Sequence, residues 1–190
     1  MIGDYDMRKN KLALSLSPLG LLTLAACGGG GGTSGSGITV TGNVQKGPLS
    51  DAFVFLDYNG DELYDDGTGS NAAEPSVRSD SSGNFTLQAT QETFSIIAIT
   101  DDSTVDTSSG VVLDGVILKA PEGSSMLTPA TTLMKEGNLT ATQVVAVLGL
   151  PDTVNPLTFD AFASDVNATE ALAVEKASHQ IMSVINAFAA

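Results

Sequence analysis

"AFVFLDYNGDELYDDG", Ala52 to Gly67, decides how this chain is to be read. Its first half, Ala52 to Leu56, is apolar, aromatic and β-branched, the composition of a buried strand. Its second half sets five acidic side chains and Asn59 into the eleven residues Leu56 to Asp66. Like charges crowded on one loop repel one another unless something offsets them. Between Leu56 and Arg78 the sequence supplies no Lys or Arg to do so. Either the loop holds a cation, or it is a well-solvated turn built from the usual turn residues Asp, Asn and Gly.

Upstream and downstream of this stretch, short β candidates follow one another. "ITVTGNV" from Ile38 alternates apolar and polar residues at period two. "NFTLQA", "FSIIAIT" and "GVILK" are further strand candidates, separated by turn chemistry at Gly47-Pro48, Asp80 to Asn84 and Ser108 to Gly110. With no helical period between them, residues 38–120 predict an antiparallel β-sandwich.

The pattern changes in residues 125–190, which predict a small C-terminal helical segment. Thr128-Pro129 is a helix start, and Gly137-Asn138 is its stop. Thr140 and Gln143 form a capping box for a second helix that runs to Gly149. Asn167 and Glu170 open a third, whose apolar stripe reads Ala171, Val174, Ser178, Ile181, Ile185 and Phe188. The sequence stops inside this helix without a C-cap signal, which leaves open a reading frame that continues into a larger secreted protein.

The N-terminal residues have the three-part layout of a secretory signal peptide over 1–26. Arg8, Lys9 and Lys11 precede an apolar run from Leu12 to Ala26, broken by Pro18 and Gly20 and too short for a good membrane span. The acids Asp4 and Asp6 do not suit a basic leader, so the expected start is Met7. Leu24-Ala25-Ala26-Cys27 resembles the bacterial lipobox. That resemblance implies lipidation of Cys27, cleavage before it, and a lipid-anchored, extracytoplasmic protein of the outer membrane or cell surface. Cys27 is the only cysteine, so no intrachain disulfide forms. The glycine- and serine-rich stretch that completes residues 27–37 is a flexible tether reaching roughly 16–19 Å.

Beyond Cys27 the chain carries 20 acids against 5 bases. Such a surface repels nucleic acid and suits cation binding. No G-x-S-x-G or H-E-x-x-H motif occurs, the one histidine is His179 on the last helix, and there is no Trp to form a sugar platform. The expectation is a protein that is not an enzyme. The partners expected are the membrane through the lipid and an envelope protein or glycan.

A calcium loop needs alternating hard-oxygen ligands. Asp57, Asn59 and Asp61 supply the D-x-N-x-D start, and the backbone carbonyl near Leu63 and the carboxylate of Asp65 continue it. Without His or Cys nearby, the ion that fits is calcium rather than zinc. A second acidic patch, Asp101, Asp102 and Asp106, reads as a solvated turn.

"VTGNVQKGPLSDAFVFLDYNGDELYDDG" and "VRSDSSGNFTLQA" resemble bacterial extracytoplasmic modules of the carboxypeptidase-regulatory-like and serine-aspartate-repeat B-domain type. The resemblance implies a prealbumin-like fold and a binding, spacer or adhesive role. It also implies a loop pattern close to D-x-N-x-D-G-x-x-D-x-G-E, onto which Asp57, Asn59, Asp61, Asp65 and Gly67 fall. Two positions depart. Glu62 stands where the pattern has Gly, and Thr68 stands where a bidentate acid is usual, with Asp66 or Glu74 as candidate substitutes. Affinity is therefore expected in the weak extracellular range of about 10⁻⁴ to 10⁻³ M. The competing reading is a lipoprotein that binds a glycan or small ligand without calcium.

Overall fold

The computed structural model describes residues 37–189. The expected leader, its start at Met7, Cys27 and the tether to residue 36 lie outside the described residues. So do the side chains of Ile185 and Phe188 from the predicted stripe.

Among the described residues ten strands come first: β1 (Ile38–Val44), β2 (Leu49–Ser50), β3 (Phe53–Asp57), β4 (Ser76–Arg78), β5 (Asn84–Ala89), β6 (Ser95–Ile99), β7 (Val105–Asp106), β8 (Val111–Val112), β9 (Ile117–Pro121) and β10 (Met126–Leu127). Three helices follow: α1 (Pro129–Gly137), α2 (Ala141–Leu148) and α3 (Ala168–Ala189). The strands form a four-stranded sheet in the order β4-β3-β6-β9 and a three-stranded sheet β10-β1-β5, with a small β2-β7-β8 sheet beside them. The protein is thus mainly β with a short helical segment, as the periodicity predicts.

Alternation decides which side chains go inside. Along β5, Phe85, Leu87 and Ala89 are buried while Asn84, Thr86 and Gln88 are exposed. Those three pack in one core with Val40 and Val44 of β1, Val54 and Leu56 of β3, Ile96 and Ala98 of β6, and Leu118 of β9. Two sheets burying a common core is the arrangement of a sandwich. Gly42 shows how tightly they fit. It pairs with Phe85 across the sheet, and a β-carbon on it would meet the Phe85 ring at 2.6 Å.

The expectation of antiparallel strands fails at one pair. β10 runs parallel to β1, with Asn43 opposite Met126 and Val44 opposite Leu127. Asn43 and Gln45 are buried, and their N–H groups need acceptors. Asn43 N donates to Ser125 O at 2.9 Å and Gln45 N to Leu127 O at 2.8 Å. A stretch assigned to the helical segment therefore closes the sheet edge before α1 begins. Asp51 takes a left-handed backbone (φ 63°), which separates Leu49–Ser50, paired with β7, from β3.

The outer face of the four-stranded sheet is covered as well. Register places Phe55, Ile97 and Lys119 side by side across β3, β6 and β9. Phe55 and Ile97 are almost fully buried. Tyr64, from the loop between β3 and β4, meets Phe53 and Phe55 edge-on with ring centroids 5.1 and 5.7 Å away. On the β9 side, Lys119 N donates to Thr132 Oγ1 of α1 at 2.9 Å. The loop and the helix share one roof over this sheet.

The helix ends obey their local signals. Thr128 caps α1 with a reciprocal bond from Thr131, and Asn138 ends it in the left-handed region. Thr140 and Gln143 form the capping box of α2, and Gly149 stops it at φ 62°. Asn167 Oδ1 accepts from Thr169 N at 2.9 Å and Glu170 N at 3.3 Å, whereas the Glu170 carboxylate turns to Thr153. On α3, Ala177, Ser178 and Met182 are buried, and Val174 packs with Leu148, Leu150, Val154 and Phe159. Val174 of the stripe is covered by the end of α2 and the segment that follows it, and Ile181 lies half-buried beside Pro129 and Leu133 of α1.

Candidate functional site

The loop between β3 and β4 starts from a fully paired strand and is organised by its own acids. Asp57, the last residue of β3, is 2% exposed. Its Oδ1 accepts from Gly60 N at 2.7 Å and its Oδ2 from Glu62 N at 3.3 Å. Asn59 Oδ1 accepts from Asp61 N at 3.0 Å, and Asp61 Oδ1 from Leu63 N at 2.9 Å. The loop thus winds through successive side-chain-to-backbone turns, each drawing an acidic or amide oxygen toward the backbone ahead of it.

Three of the candidate ligands converge. Asn59 Nδ2 donates to Asp61 Oδ2 at 3.0 Å and to Asp65 Oδ2 at 2.9 Å. Asn71 Nδ2 adds a third contact, to Asp65 Oδ2 at 2.8 Å. Two like-charged carboxylates are held near each other by amide N–H groups rather than by a cationic side chain. Among the described residues, no three His, Cys, Asp or Glu side chains gather closely enough to enclose a metal ion by themselves. A cation here would draw on Asn and backbone oxygens too. The Asn59 amide would turn away its N–H, since a cation competes for the oxygens that N–H now bridges.

The two candidate substitutes for the missing twelfth-position acid separate clearly. Asp66 faces away into a local turn, its Oδ1 accepting from Thr68 N at 2.8 Å and Thr68 Oγ1 at 2.6 Å. Those Thr68 bonds hold its carboxyl below the usual value. Glu74 comes into the loop. It is 4% exposed, its Oε1 accepts from Tyr58 N at 2.8 Å, and its Oε2 accepts from Asp65 N at 3.1 Å. Its own N–H donates to Asp65 O at 2.9 Å. A buried carboxylate whose two oxygens hold backbone N–H groups from both halves of a loop is a clamp. Tyr58, Asn59, Asp65, Asn71 and Glu74 line a small cavity of about 170 Å³.

Glu62, the departure at the sixth position, has a structural explanation. A calcium loop turns sharply there, which is why Gly is usual. Glu62 adopts that left-handed backbone (φ 65°) although it carries a β-carbon. Its carboxylate leaves the loop and meets Lys119 Nζ of β9 at 2.6 Å. Lys119 is 9% exposed and also pairs with Glu136 of α1. Burial pushes the Lys119 ammonium down, but the bonds to Glu136 and Glu62 outweigh it and its pKa is raised. The cation that the loop sequence lacks therefore arrives from a strand distant in sequence. Sequence reasoning missed it because only strand register brings it there.

Leu63 is 68% exposed, and Gly67 turns at φ 79° against Ala73, where a β-carbon would come within 2.8 Å. The second acidic patch does not join the loop. Asp101 makes a two-point pair with Arg78, with Arg78 Nη2 to Oδ2 at 2.6 Å and Nη1 to Oδ1 at 3.2 Å. That pair, helped by Ser103 N–H, lowers the Asp101 carboxyl to about 2. Asp106 is buried at 2% exposure and meets Lys46 Nζ at 3.2 Å.

A scan against protein-family models and searches of curated proteins and of solved structures found no match to this chain.

Proposed function

We propose that this chain is a lipid-anchored, extracytoplasmic module of the prealbumin-like kind, without catalytic activity, whose β3–β4 loop takes a structural calcium ion. Its role is adhesion, envelope scaffolding or presentation of a binding face. The lipobox-like Leu24 to Cys27 supports the anchor, and the mainly β architecture with its shared core supports the module.

The observation that carries the calcium reading is the backbone of Glu62. A residue with a β-carbon in the left-handed region costs about 1 kcal/mol or more. The loop bears that cost at its sixth position, where a D-x-N-x-D loop turns, while Gly60 and Gly67 take the left-handed backbone in the same loop without it. Around the turn, Asp57, Asn59, Asp61 and Asp65 present hard oxygens with lone pairs to spare. Glu74 is the fifth member, and Asp66 is not. The ion's effect is mechanical. It draws the loop carboxylates together and stiffens the loop whose Tyr64 roofs the four-stranded sheet.

The test is thermal unfolding of the full chain carrying Cys27→Ser, in EDTA, in millimolar calcium and in millimolar magnesium. Calcium at a hundred times its dissociation constant stabilises by about 2.7 kcal/mol. The expected result is a calcium-specific rise in Tm that disappears in Asp61→Ala. Equal melting in all three buffers would reduce the loop to a self-bonded acidic turn.

A further inference from the structure

A second cleft, about 340 Å³, lies where the end of β1, the β4–β5 turn and a loop of the helical segment meet. It is built from groups far apart in sequence: Asn43 and Gln45, Ser81 and Ser82, Asn84, and Thr107. Asp160 and Phe162 complete it from the other side. The geometry points to a binding site for a neutral saccharide, of mono- or disaccharide size.

The lining chemistry makes the choice. Side-chain amides and hydroxyls match the alternating donors and acceptors of sugar hydroxyl groups. Phe162, 37% exposed, adds an apolar ring for the C–H face of a sugar. The lining holds no Lys or Arg, so nothing attracts a phosphate or carboxylate. It holds one carboxylate, too few for a hard divalent cation. The volume falls at the small end of ligand clefts.

The site is also preorganised. Gln45 is 4% exposed, and its Nε2 donates to Asp160 Oδ1 at 2.6 Å across 115 residues of sequence. Phe162 N donates to the same oxygen at 2.8 Å, which sets the ring relative to the carboxylate. Asn43 Nδ2 donates to Ser82 O at 2.8 Å and Asn84 Oδ1 at 2.9 Å, fixing the β4–β5 turn. Gly83 allows that turn with φ 83°, packed so closely that a β-carbon would lie 2.6 Å from Val44 O. Among the described residues, Gln45 Oε1, Asp160 Oδ2 and the hydroxyls of Ser81 and Ser82 make no hydrogen bond. Only Asn43 Oδ1 is both unbonded and sealed from solvent, so those other groups are reachable. Fixed groups with unspent capacity bind at low entropic cost.

The experiment is saturation-transfer NMR on the full chain carrying Cys27→Ser, with cellobiose, maltose, lactose and chitobiose as probes and phosphate and acetate as controls. It is run in EDTA and again in millimolar calcium, because the cleft shares no residue with the acidic loop. The expected result is transfer to at least one disaccharide in both buffers. Phe162→Ala weakens it about tenfold. Ser82→Trp, an exposed rim position, fills the cleft and abolishes it while melting stays unchanged. No transfer to any of the four sugars overturns the inference. So does transfer that both variants leave intact, or phosphate or calcium shifting the cleft resonances where the sugars do not.

Discussion

In the loop after β3, Asp57, Asp65 and Glu74 meet backbone N–H groups and side-chain amides; in the segment after β6, Asp101 meets Arg78 and Asp106 meets Lys46. Both regions are acidic, and both lie next to strands of the same sandwich. They differ in what neutralises them. Register delivers cations to the second region, and its charges are settled. Among the described residues the first receives only Lys119, and that reaches Glu62, which has left the ring of candidate ligands. Carboxylates held by N–H dipoles alone retain negative charge and lone pairs. Under the calcium reading proposed above, that difference makes the β3–β4 loop, and not the later patch, the place where an external cation would act.

The comparison breaks most visibly at Glu74. Glu74→Ala leaves the part-buried Tyr58 N and Asp65 N without their acceptor. Each buried unsatisfied donor costs about 1–3 kcal/mol, so the expected loss is about 2–4 kcal/mol in urea unfolding with EDTA present. Glu74→Gln keeps one carbonyl oxygen and should lose about half as much. A loss below about 1 kcal/mol for the alanine variant would show that the loop does not depend on this clamp.

Much of the fold is legible along the sequence because its signals are local. The five longer strands and all three helix starts rest on period, β-branching or caps within a few residues. β2, β4, β7, β8 and β10 are two or three residues long, too short to show a period, and exist because a neighbouring strand needs partners. The candidate site is legible to the same depth. Asp57, Asn59 and Asp61 stand out by spacing, whereas the choice between Asp66 and Glu74 rests on how the loop folds back. Glu62 reads as a defect in the pattern. In the structure its backbone makes the turn that Gly would make, and its side chain finds Lys119, 57 residues on. Gln45 and Asp160 are likewise joined only in space.

A smaller effect sharpens the role of that imported cation. Lys119→Met removes the bonds to Glu62 and Glu136, whose side chains are about half exposed, and keeps the buried stem. The expected loss is about 1 kcal/mol at neutral pH, modest because water can take over both acids. The raised Lys119 pKa means that this contribution is complete below the ordinary ammonium value of 10.5 and vanishes as pH rises beyond it. The native chain should therefore lose stability on that alkaline limb faster than the variant. Parallel alkaline curves would show that Lys119 contributes through its methylenes and not its charge.

The smallest effect belongs to the settled region. Asp101 titrates near 2 in the folded chain against an ordinary value of 3.8, because Arg78 and Ser103 bond its charged form. A depressed carboxyl stabilises above its unfolded value, and that contribution fades as pH falls through the folded one. Asp101→Asn should therefore change little in the calcium response and flatten the stability curve between about pH 4 and pH 2. Arg78→Gln should flatten the same limb, since it removes the partner that lowers the pKa. If either substitution instead weakened calcium stabilisation, the two acidic regions would be one electrostatic unit. The distinction between charges settled by register and charges left to an ion would then have to be given up.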